Sequence, residues 1–106
     1  MLDIYPFILE TLTLIRPLVA KICRADPDLH RQLKRAQSSI ALNVAEGAYS
    51  RGRNQQARFQ CAMGSARETL ACLEVAAALG EIPPLEDALH ARFNRIIGTL
   101  HRLSVR

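Results

Sequence analysis

At 106 residues the chain is large enough for one hydrophobic core and too small for two, and a 49% hydrophobic fraction argues that it folds. Aromatic residues make up only 5%, tryptophan is absent, and glycine and proline number 5 each, so Leu, Ile, Val and Ala must fill helix seams and little chain is left for loops. The formal charge of +4 and a pI near 9.4 admit an anionic partner without requiring one.

The spacing predicts a first helix over about 4–24, with Ile4, Ile8, Thr11, Ile15, Val19 and Ile22 on one face. Leu9, Leu12, Ala20 and Cys23 form a second apolar face, more than a monomer's surface normally tolerates, which argues for self-association. Pro17 lies inside this pattern and predicts a kink near Thr13 to Pro17, because it lacks an N–H and clashes with the preceding turn. Asp26-Pro27-Asp28 then stops one helix and starts the next: Asp26 as N-cap, Pro27 in the first position, Asp28 at the positive end of the dipole.

The second helix is predicted over 27–49, with Leu29, Leu33, Ala36, Ile40, Asn43 and Gly47 as its seam and Gly47 as a place where another backbone approaches. A polar turn at 50–54, capped by Asn54, leads to a third helix over 54–79. There Phe59, Met63, Ala66, Leu70, Leu73, Ala77 and Gly80 alternate spacings of four and three, and Gly80 supplies the stop. After Ile82-Pro83-Pro84 a fourth helix over 84–104 carries Leu85, Leu89, Phe93, Ile96, Leu100 and Leu103. Four helices joined by short turns read as a single all-α domain spanning 1–106, an up-down-up-down antiparallel four-helix bundle.

Chemistry is sparse along this chain. His30, His90 and His101 share no spacing that sets two ligands on one helical face, no Glu-x-x-His occurs, and Arg51-Gly52-Arg53 is no phosphate loop, so neither enzyme activity, metal nor cofactor is expected. Cys23, Cys61 and Cys72 are read as buried free thiols in a reducing cytoplasm. Glu10, Arg16 and Lys21 interrupt the apolar first helix before a membrane-length span forms, so the expectation is a soluble, cytoplasmic protein.

Polar residues in apolar seams need partners. Asn43 on the second helix and Glu68 on the third, with Glu46 nearby, are expected to form a polar core in which Asn43 and Glu68 satisfy each other or Arg35. The basic residues give the functional signal. From Arg31 to Arg58 the chain holds Arg31, Lys34, Arg35, Arg51, Arg53 and Arg58 against the single acid Glu46. On the fourth helix Arg92, Arg95, Arg102 and Arg106 align as a stripe beside the seam. Arginine suits bidentate phosphate contact. Tyr49 beside Arg51 and Arg53 is the one candidate for base stacking, so backbone or shape recognition is expected rather than sequence-specific readout of single strands.

The phrases Gln32-Leu33-Lys34-Arg35-Ala36, Ser39-Ile40, Asn43-Val44-Ala45-Glu46-Gly47 and Gly64-Ser65-Ala66-Arg67-Glu68 resemble the four-helix bundle family described as the protein encoded in 23S ribosomal RNA intervening sequences. The resemblance covers most of the chain. It implies a ring of identical subunits, commonly a homopentamer. Relatives in that family include the basic accessory protein of diversity-generating retroelements, which implies structured RNA and a reverse transcriptase as partners; the flanking sequence here departs from that protein. Residues and resemblance together predict a non-enzymatic homo-oligomeric scaffold that binds structured nucleic acid, RNA above all. The alternative is a protein-interaction module whose arginines pair between subunits.

Overall fold

The computed structural model describes residues 2–105, which form five α-helices and no strand. These are α1 (Ile4–Leu14), α2 (Arg16–Ala25), α3 (Pro27–Ala48), α4 (Gly52–Ala78) and α5 (Asp87–Ser104). They pack into a body of 42 × 25 × 19 Å in which α3 runs along α4, α4 along α5, α1 touches α3 and α5, and α2 lies on α3.

The expected first helix is two. The break falls at Ile15 (φ −85°, ψ −3°), and Pro17 follows in the first turn of α2. With no N–H at Pro17 the ladder must skip a rung there, and the chain restarts with Val19 donating to the Ile15 carbonyl at 3.0 Å. The break does not spoil the face: Ile4, Ile8, Thr11, Ile15 and Ile22 are all buried and Val19 half-buried. At about 1.5–3 kcal/mol for each buried isoleucine, that face is what holds the bent pair to the core. On the second face Leu12 is half-buried, while Leu9, Ala20 and Cys23 are exposed.

Asp26 caps α3 as expected, its Oδ1 accepting from the Leu29 N–H at 3.1 Å, with Pro27 in the first position. The α3–α4 turn is shorter than the sequence suggests. Gly52 adopts φ +58° and α4 begins there, so Asn54 lies inside the helix instead of capping it. Gln55 ties the corner, its Nε2 donating to the carbonyls of Gly47 at 3.0 Å and Ser50 at 3.1 Å.

Along α4 the most deeply buried line is Phe59, Ala62, Ala66, Thr69, Leu73 and Ala76. Met63, Leu70 and Ala77 from the expected seam flank it half-buried. Thr69, fully buried, resolves its polarity by donating to the Ser65 carbonyl at 2.8 Å. Gly80 (φ +77°) ends the helix, and the Glu81 N–H reaches back to the Ala76 carbonyl at 2.9 Å, a Schellman closure. The next helix starts at Asp87, three residues later than expected. Pro84 lacks a donor and disfavours helix before it, Glu86 is extended, and buried Ile82 with half-buried Leu85 pins the intervening chain to the core.

That loop meets the α2–α3 corner through two acids. Partial burial pushes the Glu81 carboxyl above its ordinary range, and a hydrogen bond to Asp26 and the Asp26 charge push the same way. A raised carboxyl favours the protonated folded form, so its contribution is fully present below the ordinary glutamate range and is lost as pH rises through the elevated value. Glu81→Gln is therefore expected to raise the melting temperature at neutral pH and to lose that advantage in acid, measured by melts across the two conditions.

Candidate nucleic-acid interface

Helices α3 and α4 are antiparallel neighbours: moving up one, contacts step down the other, from Gly47–Gln55 through Asn43–Arg58 to Ser39–Ser65. Small buried residues permit the close approach of these helices, among them Ala36 and Gly47 on α3 and Ala62 and Ala66 on α4. Gly47 does fill a tight spot, but its neighbour is a ring and not a backbone. A Cβ there would lie 2.6 Å from Phe59 Cε1 and 2.9 Å from Cδ1.

The polar core differs from expectation. Glu46 and Glu68 are exposed, and Asn43 meets neither Glu68 nor Arg35. Half-buried Asn43 donates from Nδ2 to the Ser39 carbonyl and to Ser39 Oγ, both at 2.9 Å, and its Oδ1 accepts from an Arg58 guanidinium nitrogen at 3.3 Å. Ser65 Oγ donates to Ser39 Oγ at 2.8 Å, which completes a ladder across the two helices from hydroxyls and an amide. Glu68 fails as a core residue because its side of α4 turns to solvent: Cys61, Gly64, Val75 and Leu79, in helical spacing with it, are exposed, and on that line only Cys72 is buried. Glu68→Ala is consequently expected to change the unfolding free energy by no more than about 0.5 kcal/mol in denaturant titration. Cys23 and Cys61 are exposed rather than buried, and burial, then the Glu68 charge, pushes the Cys72 thiol up.

The structure sorts the basic residues. Arg31 forms an exposed ion pair with Asp28. Arg92 is turned inward, 21% exposed at its side chain: Nε donates to Thr11 Oγ1 at 2.9 Å, a terminal nitrogen to the Phe7 carbonyl at 3.4 Å and to Glu10 at 2.8 Å, and the guanidinium lies 4.0 Å from the Phe7 ring centroid. Arg95 lies over the same ring at 4.1 Å. Arg102 donates to Thr99 Oγ1 at 3.2 Å. The fourth-helix stripe is thus largely engaged within the subunit, and Arg106 lies outside the described residues.

Lys34, Arg35, Arg51, Arg53 and Arg58 behave differently: all are exposed, and among the described residues none has a carboxylate within 4.0 Å. Lys34, Arg35 and Arg58 come together on one groove, of about 940 Å3, that also takes in Ser39, Asn43 and Tyr49. Arg51 and Arg53 stand at the α3–α4 corner at its end. Sequence reasoning missed Ser39 and Ser65, although both sit inside the motif phrases and Ser39 has the four-residue spacing to Asn43 that makes such a bond geometrically natural. No cluster of His, Cys, Asp and Glu that could hold a metal occurs among the described residues, and no described helix is long and apolar enough to cross a membrane.

No curated protein and no solved structure matches the chain. A family model, that of the 23S rRNA-intervening sequence protein, matches residues 11–102, a span that takes in all of α2, α3 and α4, the whole Ser39–Ser65–Asn43 ladder and nearly all of α5. With that agreement over most of its length, the chain belongs to the 23S rRNA-intervening sequence protein family.

Proposed function

We propose that this chain is a non-enzymatic scaffold that assembles from identical copies in the cytoplasm and binds structured nucleic acid, RNA foremost, through the cations of α3 and the α3–α4 corner. In this reading α1 and α2 act as one bent rod of an up-down-up-down four-helix bundle, and the assembly is the pentamer that the family resemblance implies, with a reverse transcriptase as its class of protein partner. The observation that carries it is the set Lys34, Arg35, Arg51, Arg53 and Arg58, five exposed cations with no carboxylate in ion-pair range among the described residues. Uncompensated arginines on one side of a small protein repel one another, and a phosphate backbone relieves that repulsion while releasing its counterions. The test is light scattering of the purified protein with and without a folded RNA, together with a gel shift over a salt series. The expected results are a mass increase on adding RNA and retardation that falls steeply with salt. No retardation at low ionic strength rejects the reading.

The second reading, a protein-interaction module, draws on a different surface. Ala57, Cys61, Gly64, Glu68, Ala71, Val75 and Ala78 repeat at spacings of four and three on the outward side of α4, and all are exposed. Gly64 has no atom within 4 Å of where a Cβ would stand, so within one subunit nothing requires glycine there. If copies pack along this track, Gly64→Ala raises the stability of the separated subunit by up to about 1 kcal/mol, as helix propensity dictates, and lowers the assembled mass in sedimentation. A gain in stability with unchanged mass removes α4 from the subunit contact.

A further inference from the structure

The α3 groove has two ends of different chemistry. At Lys34 and Arg35 it is cationic, and a third cation, Arg58, stands midway along it, held by the neutral oxygen of Asn43, which positions its guanidinium without neutralising it. Ser39 Oγ accepts from both Asn43 and Ser65, so its two lone pairs are occupied and its own proton is left to donate. Leu42, 66% exposed, lies beside that midpoint, and at the other end stand Glu46, the one acid of the lining, and Tyr49, 84% exposed. From Lys34 to Tyr49 the helix rises about 22 Å, enough for a short run of extended nucleotides.

A duplex offers phosphates to such a groove but keeps its bases stacked inside, so it leaves Tyr49 and Leu42 facing water. An unpaired strand offers both: phosphates for the cations, and a base whose face covers the tyrosine ring. Glu46 reinforces the polarity, since a phosphate avoids a carboxylate whereas the amino groups of a base edge can donate to it. The occupant is distinguished from a second protein copy by charge: three groove cations face one acid, and among the described residues none of the three has a carboxylate within 4.0 Å.

We propose that the α3 groove binds an unpaired nucleotide segment, with phosphates at Lys34, Arg35 and Arg58 and a base stacked on Tyr49. This deepens the nucleic-acid reading above and rests on it. It also departs from the expectation drawn from sequence, where Tyr49 had only the corner arginines for company; the fold sets it in line with Lys34, Arg35 and Arg58 on the groove.

The experiment is fluorescence anisotropy at low salt with a labelled single-stranded oligouridylate, the DNA strand of equal length, and a blunt RNA duplex of the same length. Variants are Tyr49→Phe, Tyr49→Ala and Arg58→Gln, each checked for an unchanged melting temperature and an unchanged mass. The expected results are tighter binding of the single strands than of the duplex, a loss of about tenfold or more on Tyr49→Ala, near-normal binding by Tyr49→Phe, and a shallower salt dependence for Arg58→Gln only. Stacking tolerates either sugar, so RNA and DNA strands that bind alike support the proposal, and a preference for RNA assigns a further contact to the 2′-hydroxyl. Duplex binding at least as tight as the single strand, or indifference to Tyr49→Ala, overturns the groove assignment and leaves the general reading standing. Failure of all three probes to bind overturns both. A fall in assembled mass on Tyr49→Ala with strand binding intact also overturns it and makes the groove a contact between copies.

Discussion

Gly47→Ala lowers the stability of this protein even though alanine is the better helix former. The substitution gains about 1 kcal/mol of helix propensity. Against that, the new methyl would stand 2.6 Å from a carbon of the Phe59 ring, and Phe59 is only 2% exposed, so the ring has nowhere to swing. Overpacking of a filled core costs roughly 1–3 kcal/mol, and here the strain falls beside the α3–α4 corner, where Gln55 holds the Gly47 carbonyl. The expected net result is a loss on the order of 1 kcal/mol for alanine and more for valine, read as a lower denaturant midpoint with an unchanged slope. Phe59→Leu in the same chain should recover part of the alanine loss, and a double-mutant cycle with a favourable coupling term checks that the clash is with this ring. Simple additivity of the two changes would place the origin of the loss elsewhere.

Arg92→Ala carries the second large effect, and it falls on stability rather than on nucleic-acid affinity. The guanidinium bonds Thr11, the Phe7 carbonyl and Glu10 and lies over the Phe7 ring, which makes it the polar link between α5 and α1. A charged hydrogen bond of this kind contributes about 1.5–3 kcal/mol, and a partly desolvated cation–π contact adds roughly 1. Exposure of Glu10, at 65%, means its ion pair adds little. The expected loss is about 2–3 kcal/mol in thermal or chemical unfolding. Arg92→Lys keeps the charge and is still expected to lose most of it, because a point ammonium cannot reproduce the Nε bond to Thr11 and the stacked plane together. A lysine variant as stable as the parent would show that charge alone matters at this position.

The helices were legible in the sequence wherever one face alternates cleanly between buried and exposed. Ile4, Ile8, Thr11, Ile15 and Ile22 read as one side and are one side, and Pro17 marked the break because a missing N–H is a local fact. Helix starts governed by backbone conformation were less visible. Asn54 has the chemistry of a cap, yet Gly52 in the left-handed region starts α4 before it, and the pair Pro83-Pro84 delays α5 to Asp87. The site suffered most. Asn43 needed a partner, as its place among apolar residues implied, but Ser39 and Arg58 answered it in place of a carboxylate or Arg35. Glu68 shares spacing with Cys72, but a helix of 27 residues has apolar positions on more than one side, and periodicity alone does not tell which side faces inward. Nor does spacing reveal that Arg92 folds back onto Thr11, a residue 81 positions away.

The join between α3 and α4 mixes alanines with one large fit, the Phe59 ring against Gly47. Along the alanine stretches a slide by a helical turn changes little of the hydrocarbon hidden, so burial there distinguishes poorly between neighbouring alignments. The Ser65–Ser39 hydroxyl bond and the Arg58–Asn43 bond cross between the helices and favour one alignment, because a slip by a turn breaks both. These polar links add to the Gly47–Phe59 fit in holding one register, and the groove beside them keeps a fixed shape as a result.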